Sequence, residues 1–271
     1  MLRPVLKHDT QQVISMFLRH HLGISGAKGI VIGMSGGLDS SVAAKLAVDA
    51  LGAERVLGVL MPESSTPDDC MADARAMAED WGIEVLEINI REMVNSISHN
   101  LGCQDKSRLG NIKARCRMMA LYNLASERNM LVLGTGNKSE LLTGYFTKWG
   151  DGGNDINILG DLYKTQIREL AGKIGIPETV IARVPSGDLW TGQTDEGELG
   201  IDYATLDRIL LGIELGMKNP EIIKGAKVTK EQVAHVRKLV KKSVHKRRMG
   251  LIPKIGTRTV GQDWREADLS L

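Results

Sequence analysis

Three consecutive β-branched residues, Ile30-Val31-Ile32, run into Gly33-Met34-Ser35-Gly36-Gly37 and then at once into Leu38-Asp39-Ser40-Ser41 and a helical pattern. A short apolar run of this kind suits a central strand of a parallel sheet, buried on both faces. Val42, Ala43, Leu46, Ala47 and Ala50 carry on as a helix that Ser40 or Ser41 can cap and Gly52 should stop. A strand that turns through glycines into a helix N-terminus presents free backbone N–H groups and partial positive charge, a setting that favours phosphate. Gly36 and Gly37 let backbone approach an oxygen closely, where a Cβ would clash. Asp39 cannot serve to attract an anion; a carboxylate there suits Mg²⁺, which bridges one or two carboxylates to substrate phosphates. A ligand-free Ser-Gly-Gly turn is the plain alternative, and it leaves the carboxylate without a purpose.

The alternation of strand and helix continues. Arg55 to Met61 reads as a second strand broken by Pro62, and Glu63 to Asp69 as a polar loop at its carboxyl end. A helix from Asp68 to Trp81, a third strand from Ile83 to Ile90, a helix from about Asn111 to Arg128 and a fourth strand from Met130 to Leu133 follow. In front of them, Val5, Val13, Ile14, Phe17, Leu18 and Leu22 mark an amphipathic helix over about 8–22. This order predicts an α/β fold: one doubly wound, mainly parallel sheet flanked by helices, in a single domain over 1–271 with its core at about 28–180. Loops distant in sequence, after Gly33, after Met61 and from Thr135 to Glu140, should then converge at one sheet edge. Further on, Asp161 can cap a helix through Lys164, Ile167, Leu170 and Ile174. The glycine-rich stretch 185–200 suits a mobile loop, or equally a plain surface connection. The part 202–248 is helical, with a capping box at Thr229 and Gln232.

Composition excludes several classes. Three cysteines, Cys70, Cys103 and Cys116, lack the number for a disulfide framework and the spacing for zinc. No apolar stretch reaches the roughly 18 residues of a membrane span and no signal-like core opens the chain, so a cytoplasmic protein is expected. A net charge of +2 argues against nucleic-acid binding over the whole surface. Lys238, Lys241, Lys242, His245, Lys246, Arg247 and Arg248 nevertheless crowd one segment, readable as a solvated helix face or as a site for RNA, a membrane surface or a phosphorylated molecule. The segment Gly144 to Asp155 mixes aromatics, glycines and acids; EF-hand spacing fails there.

The G-x-x-x-x-G-K-[ST] spacing of kinases and GTPases is absent, and no lysine follows the glycines. Ser35-Gly36-Gly37-Leu38-Asp39-Ser40 instead resembles the loop of the ATP pyrophosphatases, which split ATP between the α and β phosphates. Together with Asn111-Ile112-Lys113-Ala114-Arg115, Gly134-Thr135, Glu140, the run Gly144 to Asp155, Lys164 and His245-Lys246, it is similar in order and spacing to the NAD synthetase family from about residue 10 onward. The resemblance implies ATP-dependent amidation of nicotinic acid adenine dinucleotide (deamido-NAD) through an acyl adenylate, with no protein nucleophile. It places ATP on Gly33, Met34, Ser35, Gly36, Gly37, Leu38, Asp39 and Ser40 with Thr135, Lys164 and Ser186, and Mg²⁺ on Asp39 and Glu140. Asp39 and Lys164 would be catalytic; Arg115, Lys148, Asp155, His245 and Lys246 would hold deamido-NAD. Ser186, Ile158 and Gly187 stand where relatives often have threonine, proline and alanine, changes that touch no charge. Glutamine-using members add an amidase domain for which this length has no room, so ammonia is the expected nitrogen source, and the family forms homodimers. Taken singly, each of these side chains reads as an ordinary surface or strand-end residue; their joint occurrence carries the reading. The rivals are an ATP pyrophosphatase that adenylates a tRNA base, for which the basic segment would be the RNA surface, and a non-catalytic nucleotide-binding module.

Overall fold

In the computed structural model, residues 1–264 are described. Five parallel strands form one sheet in the order β3-β2-β1-β4-β5: β1 (Gly29–Gly33), β2 (Val56–Leu60), β3 (Glu84–Glu87), β4 (Met130–Gly134) and the two-residue β5 (Ile156–Asn157). Central β1 pairs Ile30 with Val56 on one side and with Leu131 on the other. The period-2 alternation of a strand sends its side chains to two cores. Ile30 and Ile32 pack on one face with α1 (Thr10–Ser25), α2 (Leu38–Leu51) and α3 (Asp68–Trp81), while Val31, Leu57, Val59 and Val132 pack on the other with α4 (Arg91–Asn100) and α5 (Lys106–Arg128). Beyond β4 come α6 (Lys138–Thr143), α7 (Lys164–Lys173), α8 (Glu178–Ile181), α9 (Asp195–Leu199), α10 (Tyr203–Glu214), α11 (Asn219–Ala226) and α12 (Lys230–Lys242). The last three helices close a third core around Leu206, Ile209, Ile222 and Val236. The three cysteines are buried and free. Among the described residues no helix is long and apolar enough to cross a membrane.

The doubly wound sheet is as expected, and several boundaries differ. Gly37, not a serine, occupies the N-cap of α2; the Ser40 and Ser41 hydroxyls donate back to Gly37 O at 3.0 and 2.8 Å. Lying in the first turn, these hydroxyls reach the preceding carbonyl, and the helix start carries no side-chain cap. Helix α1 covers Thr10–Ser25 and passes through Gly23 to a left-handed Gly26; Val13 and Phe17 of its apolar stripe are exposed, with Ile14, Leu18 and Leu22 buried. Helix α5 starts at Lys106, five residues ahead of the expected start, because the Asp105 carboxylate accepts from Arg108 N and caps it there. Tyr163 precedes α7, while Asp161, its side chain 96% exposed, pairs with Lys138 instead of capping. The stretch 185–200 is not loop throughout: it contains α9, capped by Thr194, and is tied by Gln193 Oε1 accepting from Leu189 N and by Asp195 N donating to Pro185 O. The capping box of Thr229 and Gln232 stands as read.

Candidate active site

Strand order reverses between β1 and β4, and in open α/β sheets that is where the carboxyl ends part to leave a crevice. The glycine turn leaves β1 at this point. Ser40 Oγ accepts from Ser35 N at 3.3 Å and lies 3.0 Å from Ser35 Oγ, which in turn accepts from Gly37 N at 3.3 Å. Gly36 has φ +75°, and a Cβ there would come within 2.0 Å of Cys70 O, so only glycine fits. Arg183 donates to Gly36 O at 2.8 Å and fastens the turn from the other side.

The end of β4 contributes Asn137, which caps α6 in a reciprocal box with Glu140. Its amide Nδ2 also donates to Asp39 Oδ2 at 3.2 Å, joining the two strand ends. Lys164, the first residue of α7, places Nζ 2.6 Å from Asp39 Oδ2 and 3.9 Å from Glu140 Oε1, with all three side chains at most 14% exposed. Buried Asp207 sets this position: it accepts from Ser139 Oγ at 2.5 Å and from Thr165 N at 2.9 Å, and Ser139 Oγ accepts from Lys164 N at 3.0 Å.

Burial and then the Asp39 charge push the Glu140 carboxyl well above the usual carboxylate range. Burial by itself would depress Lys164, but Asp39 and Glu140 outweigh it and hold the amine above its ordinary value, so it stays protonated. Asp195 adds a third negative charge felt by both. The buried Asp39 Oδ1 has no hydrogen-bond partner, an orphaned acceptor in a cluster with excess negative charge. That donor set fits a divalent cation. Among the described residues no three metal-ligating side chains assemble; Mg²⁺ takes one or two carboxylates, with waters and phosphate oxygens completing its shell.

These groups open into a cavity of about 740 Å³. Of the residues singled out in the sequence, Gly33, Met34, Ser35, Gly37, Leu38, Asp39, Ser40, Thr135, Glu140, Lys164, Ser186 and Lys246 line it. Gly36 faces α3 instead, and four others lie outside the lining. Lys148 Nζ donates to His245 O at 2.8 Å and Arg115 Nη2 to Lys148 O at 3.3 Å, so these three form a patch of their own. Asp155 accepts from Tyr122 Oη at 3.1 Å and Val132 N at 2.8 Å, fastening β4 beside β5. Lys246 turns inward to Gly144 O and Phe146 O at 2.7 and 2.6 Å, and burial lowers its amine. Arg247 likewise donates to Leu141 O and Leu142 O, so part of the basic segment is a structural clamp.

The profile of the NAD synthase family matches residues 10–250. The chain belongs to the NAD synthase family. It is 47% identical over 244 residues to an NH(3)-dependent NAD(+) synthetase of Thermococcus kodakarensis, covering 89% of this chain and 95% of that one. Among solved structures, NMN synthetase from Francisella tularensis superposes with TM-score 0.80 at 32% identity, over 91% of this chain and 98% of the other. The NH3-dependent NAD synthetase from Campylobacter jejuni does so with TM-score 0.78 at 28% identity and the same coverage. In this NAD synthase family member, sequence reasoning missed three cavity residues, Arg117, Tyr145 and Asp195, and the buried Asn137 that holds Asp39 from behind the cavity wall. Asn137 sits beside Gly134-Thr135-Gly136 and its cap was readable; Asp195, after Thr194, looks like any acid in a helix's first turn.

Proposed function

We propose that this protein amidates deamido-NAD with ammonia, driven by cleavage of ATP between its α and β phosphates. The observation that carries the reading is the buried Asp39–Lys164–Glu140 cluster at the end of the glycine turn, inside the cavity. In the first half-reaction the nicotinate carboxylate attacks the α-phosphorus; an acyl–O–P bond forms, and pyrophosphate leaves with the electron pair of the broken P–O bond. In the second, ammonia attacks the acyl carbon, AMP leaves with the electrons of the C–O bond, and one proton is released. Neither step takes a protein nucleophile, so the protein's work is alignment and neutralisation of developing charge. Lys164 supplies a fixed cation, the Gly33–Ser40 turn and the start of α2 face the phosphates, and Thr135 and Ser186 offer hydroxyls from the cavity walls. Asp39 and Glu140 would hold Mg²⁺, which when bound supplies a Lewis acid and a template for the departing pyrophosphate.

A cavity of about 740 Å³ lies within the range that encloses one drug-sized ligand. Two nucleotides exceed that, so the outer half of deamido-NAD leaves the cavity past Lys246. There the Arg115–Lys148–His245 patch suits its pyrophosphate, with Asp155 available to a hydroxyl. The same surface carries exposed Met119 and Trp149, which fits a homodimer completing the outer site, in a cytoplasmic enzyme. The relative named NMN synthetase favours a second acid substrate, nicotinic acid mononucleotide.

Mass spectrometry decides between these after incubation of the pure protein with ATP, Mg²⁺, ammonium and either acid, with glutamine in a parallel sample. NAD⁺ with AMP and pyrophosphate from the dinucleotide supports the proposal; NMN alone moves it to the mononucleotide. Absence of both amides and of pyrophosphate refutes it and makes tRNA binding the next measurement.

A further inference from the structure

A second cavity, of about 430 Å³, opens on the surface between the start of α5 and the segment 190–198. Ser107, Trp190, Gln193, Thr194 and Glu198 line both this space and the nucleotide cavity, so a single layer of side chains separates them. Hydrogen bonds close that layer: Glu198 Oε2 accepts from Tyr145 Oη at 2.6 Å and from Gln193 Nε2 at 2.8 Å. On the inner side lies Asp195, 4% exposed and lining the nucleotide cavity. Its Oδ2 accepts from Tyr203 Oη at 3.0 Å, and its buried Oδ1 has no partner.

A buried carboxylate oxygen without a donor calls for a ligand rich in N–H groups or positive charge. Ammonium, small and cationic with four N–H donors, meets that need where carboxylates and phenols face each other. On the amidation reading the nitrogen must arrive after the adenylate forms, when ATP and deamido-NAD already occupy the main cavity. We propose that the outer cavity is the doorway for ammonium, and that Asp195, with Tyr145 and Glu198 at the threshold, docks it beside the reacting acyl group. The proposal rests on the amidation reading above. Asp105 and Glu198 put carboxylates at the outer cavity, opposed there by the exposed Lys106, which lines only that cavity.

The test is steady-state NAD⁺ formation with ammonium varied at saturating ATP and deamido-NAD. Asp195→Asn removes a charged acceptor, and the KM for ammonium should rise about tenfold or more while the KM for ATP moves less than about twofold. Lys106→Glu, an exposed change outside the nucleotide cavity, should lower the KM for ammonium about two- to threefold at low salt, with the difference lost at high salt. An unchanged ammonium KM in Lys106→Glu together with either an unchanged ammonium KM or an equal rise in ATP KM in Asp195→Asn overturns the doorway. Should Asp195→Asn fail to fold, Lys106→Glu decides. A wild-type protein that forms no NAD⁺ refutes the amidation reading instead.

Discussion

Replacing Lys113 by methionine should destabilise this protein by about 3 kcal/mol, because it strands a buried carboxylate. Lys113 Nζ lies 2.6 Å from Glu63 Oε2, with the two side chains 6% and 5% exposed. The amine also donates to Ser65 Oγ at 3.0 Å and to Leu189 O at 2.9 Å, and Ser65 Oγ donates to Asp188 O at 3.0 Å. One buried ion pair therefore joins the loop after β2, helix α5 and the segment 186–190 that walls the cavity. Burial alone would raise Glu63, but the bond from Lys113 and those from Ser64 and Ser65 outweigh it and bring the carboxyl from 4.5 to about 2. That gap corresponds to about 3 kcal/mol, in line with the lower end of the ~3–5 kcal/mol measured for broken buried pairs. Because the folded pKa lies below the unfolded one, the contribution is complete above pH 4.5 and disappears as pH falls through about 2. At pH 3 about 1.4 kcal/mol of it remains. Urea unfolding of wild type and Lys113→Met at pH 7 and pH 3 measures both quantities, and the gap between the proteins should narrow at the lower pH. Loosening of the 186–190 wall should also raise the KM for ATP. A loss below about 1 kcal/mol at pH 7, or a gap equal at both pH values, refutes the latch.

Three further outcomes are expected. Asp39→Asn removes a charge from the metal-fitting cluster and should cut pyrophosphate release by roughly 10²–10³-fold with unchanged circular dichroism; near-normal release in a folded variant removes the metal assignment. Lys148→Ala should raise the KM for deamido-NAD and leave that for ATP in place, and an unchanged dinucleotide KM counts against the outer patch. Gly36→Ala forces a Cβ to within 2.0 Å of Cys70 O at φ +75° and should cost more than about 1 kcal/mol, so a urea transition superimposing on wild type contradicts the turn argument.

The strand-turn-helix at 29–51 was legible because its information is local: β-branched residues, then glycines, then a helical apolar period. The parallel sheet followed from the alternation of such units, and the convergence of three loops followed from the sheet. Misreadings fell where neighbours compete for one cap. Ser40, Ser41 and Asp161 are good cap residues by type, yet the hydroxyls turned back to Gly37 O and Asp161 went to Lys138. The short α6, α8 and α9 lack enough turns to show a period.

By itself, then, the sequence determined the sheet, the glycine turn and the residue types of an ATP-cleaving site, since propensity and hydrophobic period act over a few neighbouring residues. Tertiary structure alone decided which charges meet: Lys164 against Asp39, Lys113 against Glu63, and Asp195 left with an unpartnered oxygen at the wall between two cavities. Those pairings span dozens of residues and exist only when packing removes water, which gives a buried charge its partner or leaves it without one.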